Sequence, residues 1–89
     1  MNLEFTENGW KDYLHWSEEN REVLIKINLL IRDLLRDPMN KGLGKAERLS
    51  GKLNGFYSRR INHEHRLVYR MDQHRITIIS CRYHYPMLK

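Results

Sequence analysis

The apolar side chains of this sequence change their period once, and that change limits the fold class. Up to Asp37 they recur at helical spacing, most clearly in a run that begins near Asn20 and ends before Pro38. Beyond Gly55 they form three runs of strand length, rich in Ile, Val, Tyr and Phe, at 56–61, 66–71 and 76–83. A helical half followed by consecutive strands is typical of an α+β domain.

The helical half divides into a short strand at 3–6 and two helices. Thr6 can cap the first helix, which should end near 19–20 and gather Trp10, Tyr13, Leu14 and Trp16 on its apolar side. The second helix carries a stripe at i, i+3, i+4 and i+7 spacing, formed by Val23, Leu24, Ile27, Leu30, Ile31, Leu34 and Leu35. Ile25 and Leu29 widen this stripe, which predicts burial against both a sheet and the first helix.

The three later runs are separated by short polar breaks at 62–65 and 72–74, which predicts an antiparallel meander. The predicted order is β-α-α-β-β-β, a mainly antiparallel sheet with both helices packed on one face. Strand alternation places Arg66 and Arg70 together on the other face, where they predict an anion site unless each pairs with an acid. The same alternation places Ser80 and His84 on the side of Ile78. We expect function on the face without helices.

The net charge of +5 is the average of two unlike halves. Eight acids and five bases precede Pro38, whereas eleven bases and three acids follow from there, so the halves carry −3 and +8. A strongly basic half predicts a polyanion partner, with nucleic acid the leading candidate, although a merely solvated basic surface fits the charge equally well. The 89 residues form one domain, 1–89, in which 86–89 are a short C-terminal tail.

Several classes of protein are excluded by what the sequence lacks. It contains no apolar run of 18 residues and no signal-peptide pattern, and the lone Cys81 permits no internal disulfide, so we expect a cytoplasmic protein. Cys81 lies in a predicted strand and should be packed rather than nucleophilic. His63 and His65 lie in a turn, where histidines are usually solvated, and no third ligand has suitable spacing, so no metal or cofactor is predicted.

Three segments carry a specific resemblance: 55–61 (GFYSRRI), 64–69 (EHRLVY) and 81–85 (CRYHY). With the helical segment 10–16 (WKDYLHW) and the 36–38 (RDP) sequence, they resemble the YoeB/Txe toxin family of the RelE-like superfamily of bacterial toxin–antitoxin modules. The similarity covers residues 1–85 and implies a RelE-like fold. It also implies a bacterial cytoplasmic toxin that binds the 70S ribosome A site, pairs with a YefM-like antitoxin, and in some relatives forms a homodimer.

The resemblance implies a metal-independent endoribonuclease that cleaves mRNA in the ribosomal A site. The RNA 2′-OH attacks its own phosphate, leaving a 2′,3′-cyclic phosphate and a 5′-OH. By motif position the general base falls on Glu47, the phosphate-stabilising cation on Arg66 and the general acid on His84. Tyr85 would orient the site or stack on a base. From the residues alone, Glu47 could be a surface ion-pair partner and His84 a solvated histidine.

Secondary RNA or phosphate contacts are predicted for five bases: Arg48, Lys52, Arg59, Arg60 and Arg82. Arg59 and Arg60 alternate faces, so one should face RNA and the other rRNA or a carboxylate. The sequence lacks the family's prolines and lysine around Glu47 and extends beyond its usual end. Two other functions stay open: a non-catalytic module that blocks translation by occupying the ribosome, and an antitoxin-bound corepressor that reaches DNA only through the antitoxin.

Overall fold

The structure, a computed structural model, describes residues 1–39, 44 and 46–84. The described elements confirm the predicted α+β order and add a short strand and one 3₁₀ turn. In chain order they are β1 (Asn2–Phe5), α1 (Glu7–Glu19), α2 (Arg21–Arg36), β2 (Glu47–Arg48), the 3₁₀ turn (Gly51–Leu53), β3 (Tyr57–Arg60), β4 (Arg66–Met71) and β5 (Arg75–Ser80). Within the described ranges, neither helix is long and apolar enough to cross a membrane.

The helices begin and end where their capping residues predict. The Thr6 hydroxyl accepts a hydrogen bond from the Gly9 N–H at 3.0 Å and starts α1. Asn20 alone separates the helices: its N–H donates to the Trp16 carbonyl, and its side chain accepts from the Val23 N–H at 3.2 Å. The second helix is capped at its other end by the residue before Pro38.

The sheet has the order β1-β5-β4-β3-β2. Strands β3, β4 and β5 form the predicted antiparallel meander. The first strand lies parallel to β5 at one edge, with Leu3 opposite Ile76, and the two-residue β2 lies antiparallel to β3 at the other edge. The meander is therefore the centre of the sheet, and the two short strands close its sides.

Both helices cover one face of the sheet, as predicted, and the main core lies between these layers. Its members include Ile27 and Leu30 from α2, and Leu67 and Ile78 from the meander, all fully buried. Helix α1 approaches β5 closely at Gly9, where a Cβ atom would overlap the Ile78 carbonyl. Glycine at this position therefore sets the distance between α1 and the sheet.

The predicted apolar stripes are wider than the surfaces that are buried. Ile25 and Leu29 are exposed, so the expectation that they widen the buried face of α2 was wrong. In α1 the buried side is centred on Gly9 and Trp16, and Trp10 and Leu14 lie half-exposed beside it. The reason is geometric: each helix contacts only the sheet and one other helix, so a narrow strip of its surface is enclosed.

The face of the sheet opposite the helices is only partly open. A small cluster of Leu49, Val68 and Ile79 is covered there by Leu53 and Phe56. The β4–β5 register is also irregular: Tyr69 lies opposite Ile78, but Val68 lies opposite Ser80. This β-bulge moves Ser80 to the face of Val68, so the predicted alternation through residue 84 was wrong beyond Ile78.

Candidate functional site

The strand register collects three predicted functional side chains on the face opposite the helices. Glu47 lies opposite Ser58, which lies opposite Val68, and Arg60 lies opposite Arg66. Residues directly opposite in an antiparallel pair point to the same face of the sheet. Strand spacing and rise place the Cα atoms of Glu47 and Arg66 about 12 Å apart. Long side chains from both positions can therefore reach one phosphate between them.

The guanidinium of Arg66 is oriented by the turn that precedes it. Its Nη1 donates to the carbonyl oxygens of Asn62 at 2.7 Å, His65 at 3.0 Å and His63 at 3.3 Å. The turn is itself held by the Asn62 side chain, which accepts from the Glu64 and His65 N–H groups. Among the residues that the structure describes, the other guanidinium nitrogens of Arg66 have no hydrogen-bond partner. They are therefore available to an anion.

His84 is held beside Arg66 through the backbone. The Arg66 N–H donates to the Tyr83 carbonyl at 2.8 Å, which fixes the residue before His84 against the start of β4. The His84 side chain is exposed. The backbone before His84 therefore lies against the start of β4, where Arg66 stands, whereas Tyr85 lies outside the described residues.

Glu47 is exposed at the edge of the sheet, beside a recess of about 450 Å³. Within the described ranges its carboxylate has no hydrogen bond or ion pair. Arg48 lies opposite Tyr57, with its guanidinium carbon 5.7 Å from the ring centre, and Tyr57 stacks on Tyr69 at 5.7 Å. Glu47, Arg48 and both tyrosines line this recess, but Arg48 and the tyrosines lie on the helix-covered face of the sheet and Glu47 on the opposite face.

Arg59 and Arg60 alternate faces as predicted, and Arg59 is the one that meets a carboxylate. The Arg59 side chain is 0% exposed and forms an ion pair with Asp33 of α2, which also binds Arg36 at 2.8 Å. Burial opposes the charge of Arg59, but the Tyr69 hydroxyl and Asp33 outweigh burial and raise the pKa of Arg59. The predicted RNA contact of Arg59 is therefore corrected, since its side chain is enclosed under α2, and only exposed Arg60 stays a candidate.

The other basic residues that were predicted to bind RNA or phosphate lie in separate parts of the fold. Lys52 is exposed on the 3₁₀ turn. The guanidinium carbon of Arg82 lies 5.0 Å from the centre of the Tyr83 ring. Arg70 lines a separate recess with Glu4 and Arg75, and its Cα lies about 13 Å along β4 from that of Arg66. The predicted anion site of Arg66 and Arg70 is therefore divided between two places.

His65 is buried, so the prediction that it is a solvated turn residue was wrong. His63 is exposed as expected, but His65 is 7% exposed, and its ring packs 4.7 Å from that of Trp16. Its position gave the missing signal: His65 has the parity of Leu67 and Tyr69, the side chains that face the helices. Among the described residues, no cluster of three or more His, Cys, Asp or Glu side chains could hold a metal ion.

Cys81 is packed, as predicted, although it lies just beyond the end of β5. Burial and the nearby Asp12 carboxylate raise the pKa of its thiol. A thiol with a raised pKa is a poor nucleophile at neutral pH. Cys81 is therefore a packed side chain and not a candidate nucleophile.

Glu47, Arg66 and His84 carry three groups of different chemical type. An exposed carboxylate, an oriented guanidinium and an exposed imidazole can act as base, charge stabiliser and acid in transfer at a phosphodiester. Such a site on a small basic α+β domain is the arrangement implied for an RNA-cleaving toxin.

Comparison with known proteins identifies the family. Residues 5–85 match the model of the YoeB-like toxin of bacterial type II toxin–antitoxin systems. The chain is 51% identical over 85 residues to Toxin YoeB of Streptomyces coelicolor, across 96% of this chain and 100% of that protein. The chain therefore belongs to the YoeB-like toxin family.

Solved structures agree with this assignment. The YoeB/ParE toxin from Agrobacterium tumefaciens has a TM-score of 0.90 and 45% identity, covering 96% of this chain and 100% of that one. A YoeB dimer and a heterotetrameric YoeB–YefM complex, both from Staphylococcus aureus, have TM-scores of 0.87 and 0.86 at 44% identity, covering 96% of this chain and 98% of theirs. The fold predicted from the resemblance is confirmed.

Proposed function

We propose that this toxin is a ribosome-dependent mRNA interferase that cleaves mRNA in the A site by attack of the RNA 2′-OH. The reaction needs no metal and leaves a 2′,3′-cyclic phosphate and a 5′-OH. The observation that supports it most strongly is the common placement of Glu47, Arg66 and His84. Strand register puts Glu47 and Arg66 on one face, and the Arg66–Tyr83 hydrogen bond brings His84 to the same end of β4.

Each group has a distinct task in this reaction. Glu47 takes the proton of the 2′-OH, so that the oxygen attacks the adjacent phosphorus. Arg66 stabilises the charge that grows on the phosphate oxygens, using the nitrogens that the turn carbonyls leave available. His84 gives a proton to the departing 5′-oxygen. Tyr85 follows His84 directly and is proposed to orient the site or stack on a base.

The exposed arginine and lysine side chains are proposed to bind the sugar–phosphate backbone of mRNA or rRNA. Arg60 lies on the same face of the sheet as Glu47 and Arg66, which we call the site face, and Lys52 and Arg82 are proposed to bind beside it. Arg48 lies at the same sheet edge but towards the stacked tyrosines, where it can hold a base against Tyr57. Together they steer the toxin to a polyanion, which is why the basic half of the chain carries the site.

A YefM-like antitoxin is the proposed inhibitor, and a second toxin chain is a further proposed partner. The solved relatives include a YoeB–YefM complex and a YoeB dimer. An acidic antitoxin segment that folds on binding could cover the basic face and displace His84 or Tyr85. We place this activity in the bacterial cytoplasm, where ribosomes and mRNA are found.

Primer extension on a defined mRNA programmed into purified 70S ribosomes tests the function. We expect new 5′ ends in the A-site codon with the wild-type toxin and none without ribosomes. Single variants Glu47→Gln, Arg66→Gln and His84→Gln should each lower the cleavage rate at least about 100-fold, the usual value of a positioned acid, base or charge. Matched exposed changes, Glu18→Gln and Arg32→Gln on the helices, should leave the rate unchanged.

Replacing the 2′-OH at the cleaved nucleotide by hydrogen separates the proposed reaction from its alternatives. Cleavage should stop, because the nucleophile is gone, whereas hydrolysis by a water molecule would continue. Translation arrest without new 5′ ends, retained by His84→Gln, would instead show a toxin that blocks the ribosome by occupancy. A protein that neither cleaves mRNA nor arrests translation, and that binds DNA only together with the antitoxin, would be a corepressor.

A further inference from the structure

The segment that carries His84 has no regular structure, yet its backbone is held by side chains of other elements. It begins at Cys81, immediately after β5. The Cys81 N–H donates to Asp12 Oδ2 at 3.1 Å, and the Cys81 carbonyl accepts from the indole N–H of Trp16 at 2.8 Å. Both partners belong to α1. The start of the segment is therefore fixed to the helix layer rather than to the sheet.

Tyr83 is held from both sides, two residues further along. Its N–H donates to Nδ1 of His65 at 2.7 Å, and its carbonyl accepts from the Arg66 N–H at 2.8 Å. Its φ angle is +64°, a left-handed conformation that costs a non-glycine residue roughly 1–2 kcal/mol. The two hydrogen bonds oppose this cost and set the direction in which the chain leaves towards His84.

The hydrogen bond from Tyr83 fixes the protonation state of His65. An imidazole nitrogen accepts a hydrogen bond only when it carries no proton, so Nδ1 is bare and the ring proton lies on Nε2. Nε2 lies 3.4 Å from Oε1 of Glu64. The ring is enclosed between Trp16, at 4.7 Å, and Tyr83, at 5.8 Å between ring centres. A doubly protonated ring in this position would turn the acceptor into a donor facing the Tyr83 N–H.

We propose that His65 is a positioning residue: its neutral ring holds Tyr83 and thereby aims His84 at the phosphate bound by Arg66, and its protonation releases that segment. This proposal rests on the proposed function, because it concerns the aim of the proposed acid. His65 itself is buried against Trp16 of α1, so in this proposal it acts through Tyr83 and does not contact the RNA.

The surroundings of His65 keep the ring neutral at pH 7. Burial lowers its pKa below 6.5; Glu64, in its own turn, opposes this, whereas Arg82 and His84 in the terminal segment and His15 on α1 add to it. A buried imidazole whose pKa is lowered on folding contributes fully to stability when the pH is above 6.5, its pKa in the unfolded chain. Its contribution to stability decreases as the pH falls below 6.5. Acid therefore loosens the segment, whereas neutral pH holds it.

Three substitutions at position 65 separate the hydrogen bond from mere packing. His65→Asn keeps an acceptor near the place of Nδ1, His65→Gln moves the acceptor to the place of Nε2, and His65→Leu keeps apolar volume without an acceptor. We expect His65→Leu and His65→Gln to lower kcat about 100-fold with KM unchanged, the effect of a misplacement of about 1 Å. His65→Asn should recover most of kcat. His74→Asn, at the opposite turn, is the matched control and should match the wild type.

The acid limb of the pH profile gives a readout that packing alone would not change. Removing the Glu64 charge by Glu64→Gln lowers the pKa of His65 further, so the acid limb of kcat should move to lower pH. An unmoved limb, or full kcat in a folded His65→Leu variant, would overturn the proposal.

Nitrogen-15 NMR of the imidazole rings tests the same contact without RNA. At pH 7 the Nδ1 signal of His65 should be that of an unprotonated nitrogen, and the Tyr83 amide should shift as His65 is protonated by acid. A protonated Nδ1 at pH 7, or an unmoved Tyr83 amide, contradicts the proposed hold of His65 on Tyr83, whether or not the toxin cleaves RNA. If the NMR result is as expected and the wild type cuts no RNA, the hold of His65 on Tyr83 is supported and the proposed function is wrong.

Discussion

Arg59 and Arg60 are neighbours on β3, yet the two faces of the sheet use them differently. Arg59 is enclosed under α2 and paired with Asp33, whereas Arg60 is exposed beside Arg66. The helix-covered face also holds the larger core, whereas the described part of the opposite face holds a cluster of three buried side chains. A positive charge therefore serves stability on one face and polyanion binding on the other.

Ion pairs also connect the acidic half of the chain with the basic half. Asp33 and Glu4 of the acidic half form ion pairs with Arg59 and Arg75 of the basic half. Part of the +8 is thus neutralised by the helical half. Of the described basic residues outside these two ion pairs, Arg60 and Arg66 lie on the face opposite the helices.

The largest effect is expected from Glu47→Gln, which should separate activity from stability on the site face. The proposed base is lost, so ribosome-dependent cleavage should fall at least about 100-fold. The exposed carboxylate forms no hydrogen bond or ion pair with a described residue, so the free energy of unfolding should stay within about 0.5 kcal/mol of the wild type. Urea unfolding and primer extension on the same preparation measure both quantities. A variant that loses both would show that the two faces are not independent.

The opposite separation is expected from Leu30→Ala on the helix-covered face. Leu30 is fully buried in the main core, so its truncation should lower the free energy of unfolding by about 2–5 kcal/mol. Cleavage per folded molecule should stay within about twofold, because the other face keeps its register. Leu29→Ala, one residue earlier and exposed, is the control and should change little. A large fall in specific activity for Leu30→Ala would contradict the division of labour.

The neighbouring arginines give a smaller but more direct contrast. Arg59→Ala should lower Tm by at least about 4 °C, because it removes the buried partner of Asp33. Arg60→Ala should leave Tm almost unchanged but weaken ribosome binding and reduce its logarithmic salt dependence by about one. Calorimetry and binding titrations at several salt concentrations distinguish the two. Equal effects of both variants on salt dependence would mean that Arg59 also reaches RNA.

The smallest effect concerns pH. Hydrogen bonding to Arg59, joined by Arg36, lowers the pKa of Asp33 below 3.8. A carboxyl whose pKa is lower in the folded than in the unfolded chain stabilises the fold fully at pH values above its unfolded pKa. That stabilisation is lost as the pH falls through the folded pKa. The difference in Tm between the wild type and Asp33→Asn should therefore be constant above pH 5 and shrink below about pH 3.8. A difference independent of pH would assign the effect of Asp33 to packing.

Local patterns were enough to predict the helices and the meander. Thr6, Asn20 and Pro38 mark helix ends through their own backbone and side-chain chemistry, so the boundaries agree within one residue. Strand β2 was missed because two residues are too few for any alternation, and the parallel pairing of β1 was missed because it is a contact with distant β5. The β-bulge before Ser80 has no sequence signal of its own, so side-chain alternation alone misplaced the end of β5.

The site was predicted unevenly for the same reason. Arg66 was placed by strand alternation, and Glu47 and His84 by the resemblance. Arg59 was misassigned because its partner lies on α2, 26 residues away. His65 was taken for a solvated turn residue, although its alternation with Leu67 and Tyr69 already placed it on the helix side. Contacts between layers, rather than residue types, decided these two cases.

The enclosure of Cys81 has a practical consequence for observing this toxin. Its thiol is fully buried, its pKa is raised, and its backbone is hydrogen-bonded to Asp12 and Trp16, at the root of the segment that carries His84. An alkylating reagent can react with it only after that segment leaves α1. Because the chain has one cysteine, its labelling rate measures how often the segment opens, with no engineered probe. A bound antitoxin that displaces His84 would speed this labelling, and one that covers the segment in place would slow it.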